Sequence, residues 1–107
     1  MHNDKVLSML GIAAKSGNVV SGEFSTEKAV KTGQAYLVIV SVEASDNTKK
    51  SFFNMTDFYH VPCYCYGSKE DLGRCIGKEF RASLAVTDAG LAKADEKQID
   101  SCENMEV

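Results

Sequence analysis

Val6, Met9, Leu10 and Ala13 stand at the i, i+3, i+4, i+7 spacing that lines up side chains on one face of a helix. Asn3 or Asp4 precedes them with a side chain able to cap that helix, and Gly17 follows where a left-handed residue would end it. The rhythm then changes. Asn18–Ser21, with Val19 and Val20, predicts a short strand feeding a second helix from about Gly22 to Thr32, which Gly33 stops. Tyr36–Val42 is apolar on both alternating faces, the pattern of a central strand covered by helices on both sides. Ser45 or Asp46 is placed to cap a third helix, whose Phe52, Phe53, Met55 and Phe58 are expected in the core. Its first turn carries Asn47, Lys49 and Lys50.

Val61–Tyr66 predicts another short strand, with Pro62 near its start as strand geometry tolerates. Ser68 and Asp71 have a spacing like that of a capping box and open a short helix through Leu72 and Cys75. A glycine-flanked loop, Gly77–Ala82, leads to the strand Ser83–Thr87 and a last helix from about Asp88. Alternating strands and helices of this kind predict an α/β fold, a three-layer α-β-α sandwich around a small mixed sheet of about four strands. One domain over residues 1–94 is expected. From Asp95 to residue 107 the composition turns acidic, and an irregular, flexible tail is expected there.

Composition narrows the function classes. A chain of 107 residues has room for one core. No apolar run approaches the roughly 20 residues that span a bilayer, and the opening Met-His-Asn-Asp-Lys lacks the basic-then-apolar order of a signal peptide. A soluble, cytoplasmic protein without a membrane partner is expected. The net charge of −3 is unevenly distributed: residues 1–94 hold eleven Lys/Arg and ten Asp/Glu, while residues 95–107 hold one Lys and five acids. The domain is therefore mildly basic and the tail acidic. Four cysteines, Cys63, Cys65, Cys75 and Cys102, read as reduced thiols in a domain with enough aliphatic residues to fold without disulfides. Cys63-x-Cys65 on a strand puts both sulfurs on one face, and no second pair has the spacing of a zinc site, so neither metal nor other cofactor is expected. Neither His2 nor His60 has a nucleophile or acid set around it, and no Walker or dinucleotide-binding glycine pattern occurs. Binding, not catalysis, is the chemistry that remains.

Two segments carry candidate binding residues. The helix opening at Gly22 presents free backbone N–H groups and the positive end of a helix dipole to an anion, and Lys28 and Lys31 on the same helix suit neighbouring phosphates. Phe24, in its first turn, has two readings: a platform for an extruded base, or a lid folded back on the core. The loop holding Lys78, Phe80 and Arg81 joins cations to an aromatic, the surfaces that unstacked bases favour. A solvated loop with one core-facing Phe is the alternative.

Read in order, Ala13-Ala14-Lys15-Ser16-Gly17, Val20-Ser21-Gly22-Glu23, Lys28-Ala29-Val30-Lys31-Thr32-Gly33, Leu37–Val40, Asp46–Lys50, Val61-Pro62, Leu72–Gly77 and Ala85–Asp88 resemble the small ribosomal-protein superfamily that binds kink-turn RNA. That superfamily includes the archaeal seven-Ae and eukaryotic thirty-e proteins of the large subunit. Within it, the chain resembles the bacterial YlxQ-like members in particular. The resemblance covers residues 4 to 94 and implies an α-β-α sandwich that binds RNA without catalysing a reaction. It implies that the second helix enters the RNA major groove beside tandem sheared G·A pairs and that the loop before the last strand covers an extruded nucleotide. By position, Gly22 and Glu23 match the start of the motif, Lys28 its phosphate-contacting lysine, and Ile76–Ala82 the specificity loop. Phe24 and Ser25 depart from the pattern, standing where such readers place Asn or Lys and Glu or Gln.

Three functions compete. The first is a non-enzymatic, ribosome- or ribonucleoprotein-associated module that takes structured RNA, rather than DNA, at Gly22, Glu23, Phe24, Ser25, Lys28, Lys31, Ile76, Lys78, Phe80 and Arg81. The second is a protein–protein adaptor that keeps the fold with weak or no RNA binding. The third is a substrate-binding accessory to an RNA methyltransferase, acting in trans.

Overall fold

Capping and periodicity account for most of the element boundaries in the computed structural model, which describes residues 4–105 and, within helices and strands, the side-chain surroundings of residues 4–100. Helix α1 (Lys5–Lys15) begins at Asp4, whose side chain accepts from the Leu7 amide at 3.0 Å; the alternative cap, Asn3, lies outside the described residues. Val6, Leu10 and Ala13 are buried, with Met9 half-buried at the edge of their stripe. Strand β1 (Val19–Ser21) leads into α2 (Glu23–Lys31), and β2 (Leu37–Val40) into α3 (Asp46–Tyr59). Ser45, not Asp46, caps α3 by accepting from the Thr48 amide at 3.1 Å. Strand β3 (Cys63–Cys65), α4 (Lys69–Cys75), β4 (Ser83–Val86) and α5 (Ala89–Met105) complete the chain. Ser68 caps α4 and Asp88 caps the first turn of α5.

The four strands form one mixed sheet in the order β1-β4-β2-β3, with β4 antiparallel to both neighbours and β2 parallel to β3. All four residues of β2 are buried, as a strand covered on both faces requires. Leu37, Ile39, Leu84 and Val86 pack against Val6 and Leu10 of α1, Leu72 of α4 and Ala92 and Ile99 of α5. On the opposite face Val38, Val40 and Ala85 pack against Ala29 and Val30 of α2 and Phe52 of α3. Three helices on one face and two on the other make the three-layer sandwich.

Two expectations fail in informative ways. Phe58 is 74% exposed and Phe53 39% exposed, where both were expected in the core. Phe52 and Thr56, four residues apart, define the stripe of α3 that faces the sheet, and at 100° per residue Phe53 and Phe58 fall outside it. Phe58 instead meets the adjacent Tyr59 edge-on, with ring centroids 5.0 Å apart. The segment from Asp95, expected to be irregular, is helical as far as Met105. Lys97 and Asp100 face outward while Asp95 and Ile99 are buried, and the Tyr64 hydroxyl donates to Glu96 at 2.9 Å, tying α5 to β3. The acidic composition concealed a helix with one apolar side.

Asp95 points into this interior fully buried, with no hydrogen-bond partner for either carboxylate oxygen. Burial pushes its carboxyl from the ordinary 3.8 up to about 7. The folded state therefore holds a proton that the unfolded chain releases, and stability present below pH 4 is lost as pH rises towards 7. Asp95→Asn, followed by thermal melts between pH 4 and 8, should match the wild type near pH 4 and exceed it by an amount on the order of 4 kcal/mol at pH 8. Parallel pH profiles for the two proteins would show that Asp95 does not titrate in the fold.

Candidate nucleic-acid interface

Because β4 runs antiparallel between β1 and β2, and β3 runs parallel to β2, the strands β1, β2 and β3 all finish at the edge of the sheet where β4 begins. The helices that follow them, α2, α3 and α4, start there. Three hydrogen bonds stitch this edge together. The Gly22 amide donates to the Ser83 carbonyl at 3.0 Å, the Ser41 amide to the Ala82 carbonyl at 2.8 Å, and the Arg81 amide to the Lys69 carbonyl at 3.1 Å. The loop from Ile76 to Ala82 is thereby brought against the start of α2, two segments more than fifty residues apart in the chain.

Gly22 turns the chain from β1 into α2 with φ +92° and ψ 156°, a conformation that a Cβ would strain. No side chain caps α2, so the N–H groups of its first turn remain available to an anion. The inner face of α2 is filled by Thr26, Ala29 and Val30, and Glu23, Phe24, Ser25 and Lys28 are left on its exposed side. Phe24 is 78% exposed and does not fold back onto the core. Lys31 is not part of the cluster. It lies almost the full length of the helix away, about 14 Å at 1.5 Å per residue, and donates to Glu27 at 2.7 Å in an ion pair that favours its charged form.

The loop is held by its own backbone. Ile76 caps α4 and packs half-buried against the core, so it anchors the loop more than it faces solvent. The Lys78 amide donates to the Gly73 carbonyl at 2.8 Å, and Gly73 lies so close to the loop that a Cβ would stand 1.2 Å from the Glu79 carbonyl oxygen. From this support Phe80 projects 65% exposed, which removes the core-facing alternative, and Lys78 is exposed beside it. Arg81 is half-buried: its Nε donates to Ser21 Oγ at 3.0 Å and its Nη1 to the Phe80 carbonyl at 2.8 Å.

The shared edge also includes residues that sequence reasoning left out of the site. Ser21 ends a strand within the Val20–Glu23 segment, and its contact across 60 residues to Arg81 has no local signal. Lys49 and Lys50 lie in the first turn of α3, and only the antiparallel pairing of β2 with β4, which sets Val40 opposite Ser83, places that turn at this edge. Elsewhere, burial pushes the Cys63 and Cys75 thiols up to about 11, which keeps them protonated at neutral pH. Cys63 and Cys65 pack against the α2–α3 core, and the side chain of Cys102 lies outside the described residues. Among the described residues no three of His, Cys, Asp and Glu gather as a metal ligand set, and no helix is long and apolar enough to cross a membrane.

Comparison with known proteins decides the family. The model of the Ribosomal protein L7Ae/L30e/S12e/Gadd45 family matches residues 4–96. The chain belongs to this family. Among curated relatives of this L7Ae/L30e group it is similar to the RNA-binding protein YlxQ of Bacillus subtilis, at 42% identity over 84 residues, covering 78% of this chain and 84% of that one. It is also similar to the large ribosomal subunit protein eL30 of Sulfolobus acidocaldarius, 35% identical over 74% of this chain and 78% of that one. A solved structure of a protein of unknown function from Bacillus halodurans C superposes with a TM-score of 0.89 at 39% identity, covering 92% of this chain and 99% of that one. The L7Ae/L30e assignment agrees with the sandwich and its mixed sheet.

The close approach at Gly73 makes a direct expectation. Gly73→Ala must push the Glu79 backbone away from α4, which should lower stability by about 1–3 kcal/mol and shift the backbone amide resonances of Lys78–Arg81. An unchanged melting temperature and an unchanged spectrum would contradict the tight seating of the loop.

Proposed function

We propose that this protein is a non-enzymatic, cytoplasmic RNA-binding module of the ribosomal-protein type, taking a kink-turn-like structured RNA at the edge shared by the start of α2 and the loop before β4. The observation that carries the reading is the convergence of an uncapped helix N-terminus with two exposed aromatics and cations from separate segments. An anionic backbone suits the N–H groups of α2 and the charges of Lys28, Lys78 and Arg81. Unstacked bases suit Phe24 and Phe80. Family membership supports the same reading, since one relative is named an RNA-binding protein and another a large ribosomal subunit protein. Gly22, Glu23, Ser25 and Ile76 act in this proposal mainly through backbone shape and support, while Lys31 contributes a more distant charge softened by Glu27. Ribosomal or other ribonucleoprotein components are the partners it implies.

Phe24 and Ser25 shape the expected specificity. Phenylalanine offers no hydrogen bond to a base edge, so this surface should tolerate changes at the G·A pairs better than one reading them with an amide or carboxylate, where each contact is worth about 1–3 kcal/mol. Titration of the purified protein with a kink-turn RNA, and with the same RNA whose tandem G·A pairs are replaced, tests the proposal. Salt-sensitive binding is expected, with a modest preference for the kink-turn. Lys28→Ala should weaken binding to both RNAs and reduce the salt slope by about one. Absence of binding to either RNA would overturn the reading in favour of a protein–protein adaptor.

A further inference from the structure

We propose that Arg81, oriented by Ser21, is the specificity-determining residue of this surface and reads the O6/N7 edge of a guanine. The inference rests on the RNA-binding reading above and adds a named contact to it. A guanidinium has five N–H donors. Here Nε donates to Ser21 Oγ and Nη1 to the Phe80 carbonyl, leaving both N–H groups of Nη2 and one of Nη1 without an acceptor among the described residues. Neither of the ion pairs formed among those residues involves Arg81. A half-buried cation with no carboxylate and three open donors is incomplete as a structural element.

Its two anchors are rigid. Ser21 is the last residue of β1, in register with Leu84 of β4, and the adjacent Gly22 amide is fixed to the Ser83 carbonyl. The Phe80 carbonyl belongs to the loop seated on Gly73. Bonds from two of its nitrogens, to β1 and to the loop, thus restrict the guanidinium's orientation before any ligand arrives, which lowers the entropy lost on binding. Lys28, Lys50 and Lys78 at the same edge are exposed point charges, suited to phosphates that carry no base information. Phe24 offers a stacking face and no donor. Arg81 is therefore the group at this edge with paired donors in one plane. Guanine presents two adjacent acceptors, O6 and N7, that match such a pair, whereas adenine presents a donor at one of those places.

Transcripts of the same kink-turn RNA containing guanine or 7-deazaguanine provide the probe, since 7-deazaguanine lacks N7 but keeps the Watson–Crick edge. The wild type should bind the guanine RNA at least five-fold more tightly. Arg81→Lys and Ser21→Ala should bring the two affinities together, while Ser21→Thr, which keeps the hydroxyl, should preserve the preference. Equal binding of both RNAs by the wild type would overturn the inference and leave the RNA-binding reading standing. A preference that survives in Arg81→Lys would also overturn it. A loss of affinity for both RNAs alike in Arg81→Ala, with a flatter salt dependence and the preference intact, would make Arg81 a phosphate contact and overturn the inference. No binding of either RNA by the wild type would remove the RNA-binding reading itself.

Discussion

The insertion of β4 between β1 and β2, antiparallel to both, is the constraint on which the rest depends. It leaves β1, β2 and β3 pointing the same way, so three strand exits and three helix starts share one edge, and the chain entering β4 must arrive there too. The candidate interface is a product of this topology. Gly22 can bond to Ser83, and Arg81 to Ser21, only because the last strand begins where the first one ends. The residues involved come from both ends of the domain and would be strangers in any local reading.

Packing maintains the arrangement at modest cost. The two faces of β2 and β4 divide their apolar residues between α1, α4 and α5 on one side and α2 and α3 on the other. Glycine serves two purposes: Gly73 lets the loop lie directly on α4, and Gly22 turns the chain from β1 into α2 at φ +92°. Thr26 and Ser83 each bury a hydroxyl without a hydrogen-bond partner among the described residues, and Asp95 buries a carboxyl in the layer opposite α2 and α3, whose neutral form the fold prefers. Asp95 lies on the far side of the sheet from α2, so its titration acts on stability and not directly on the interface.

Local patterns made most elements legible before any coordinates. The caps at Asp4 and Ser68, the left-handed ends at Gly17 and Gly33, and the doubly apolar β2 each follow from chemistry within a few residues. Bulk alone was a poor guide on α3, where helical phase and not hydrophobicity decides that Phe52 is inside and Phe58 outside. Acidic content was a poor guide on α5, where Ile99 and the Tyr64–Glu96 bond hold a helix that composition disguises. At the candidate interface, Gly22, Lys28 and the Phe80–Arg81 loop were visible as separate pieces, because each carries a short-range signature. The placement of Ser21, Lys49 and Lys50 beside them was not, because it comes from pairing across the sheet.

The central claim is that one edge of the sheet, and no other surface, receives RNA. Backbone amide chemical-shift mapping of the isotopically labelled protein during titration with a kink-turn RNA tests it most directly. The account predicts perturbations clustered at residues 21–28, 47–50 and 76–82, with the outer face of α1 and the Phe58–Tyr59 end of α3 unmoved. Perturbations centred on either of those distant surfaces, with the shared edge silent, would contradict it.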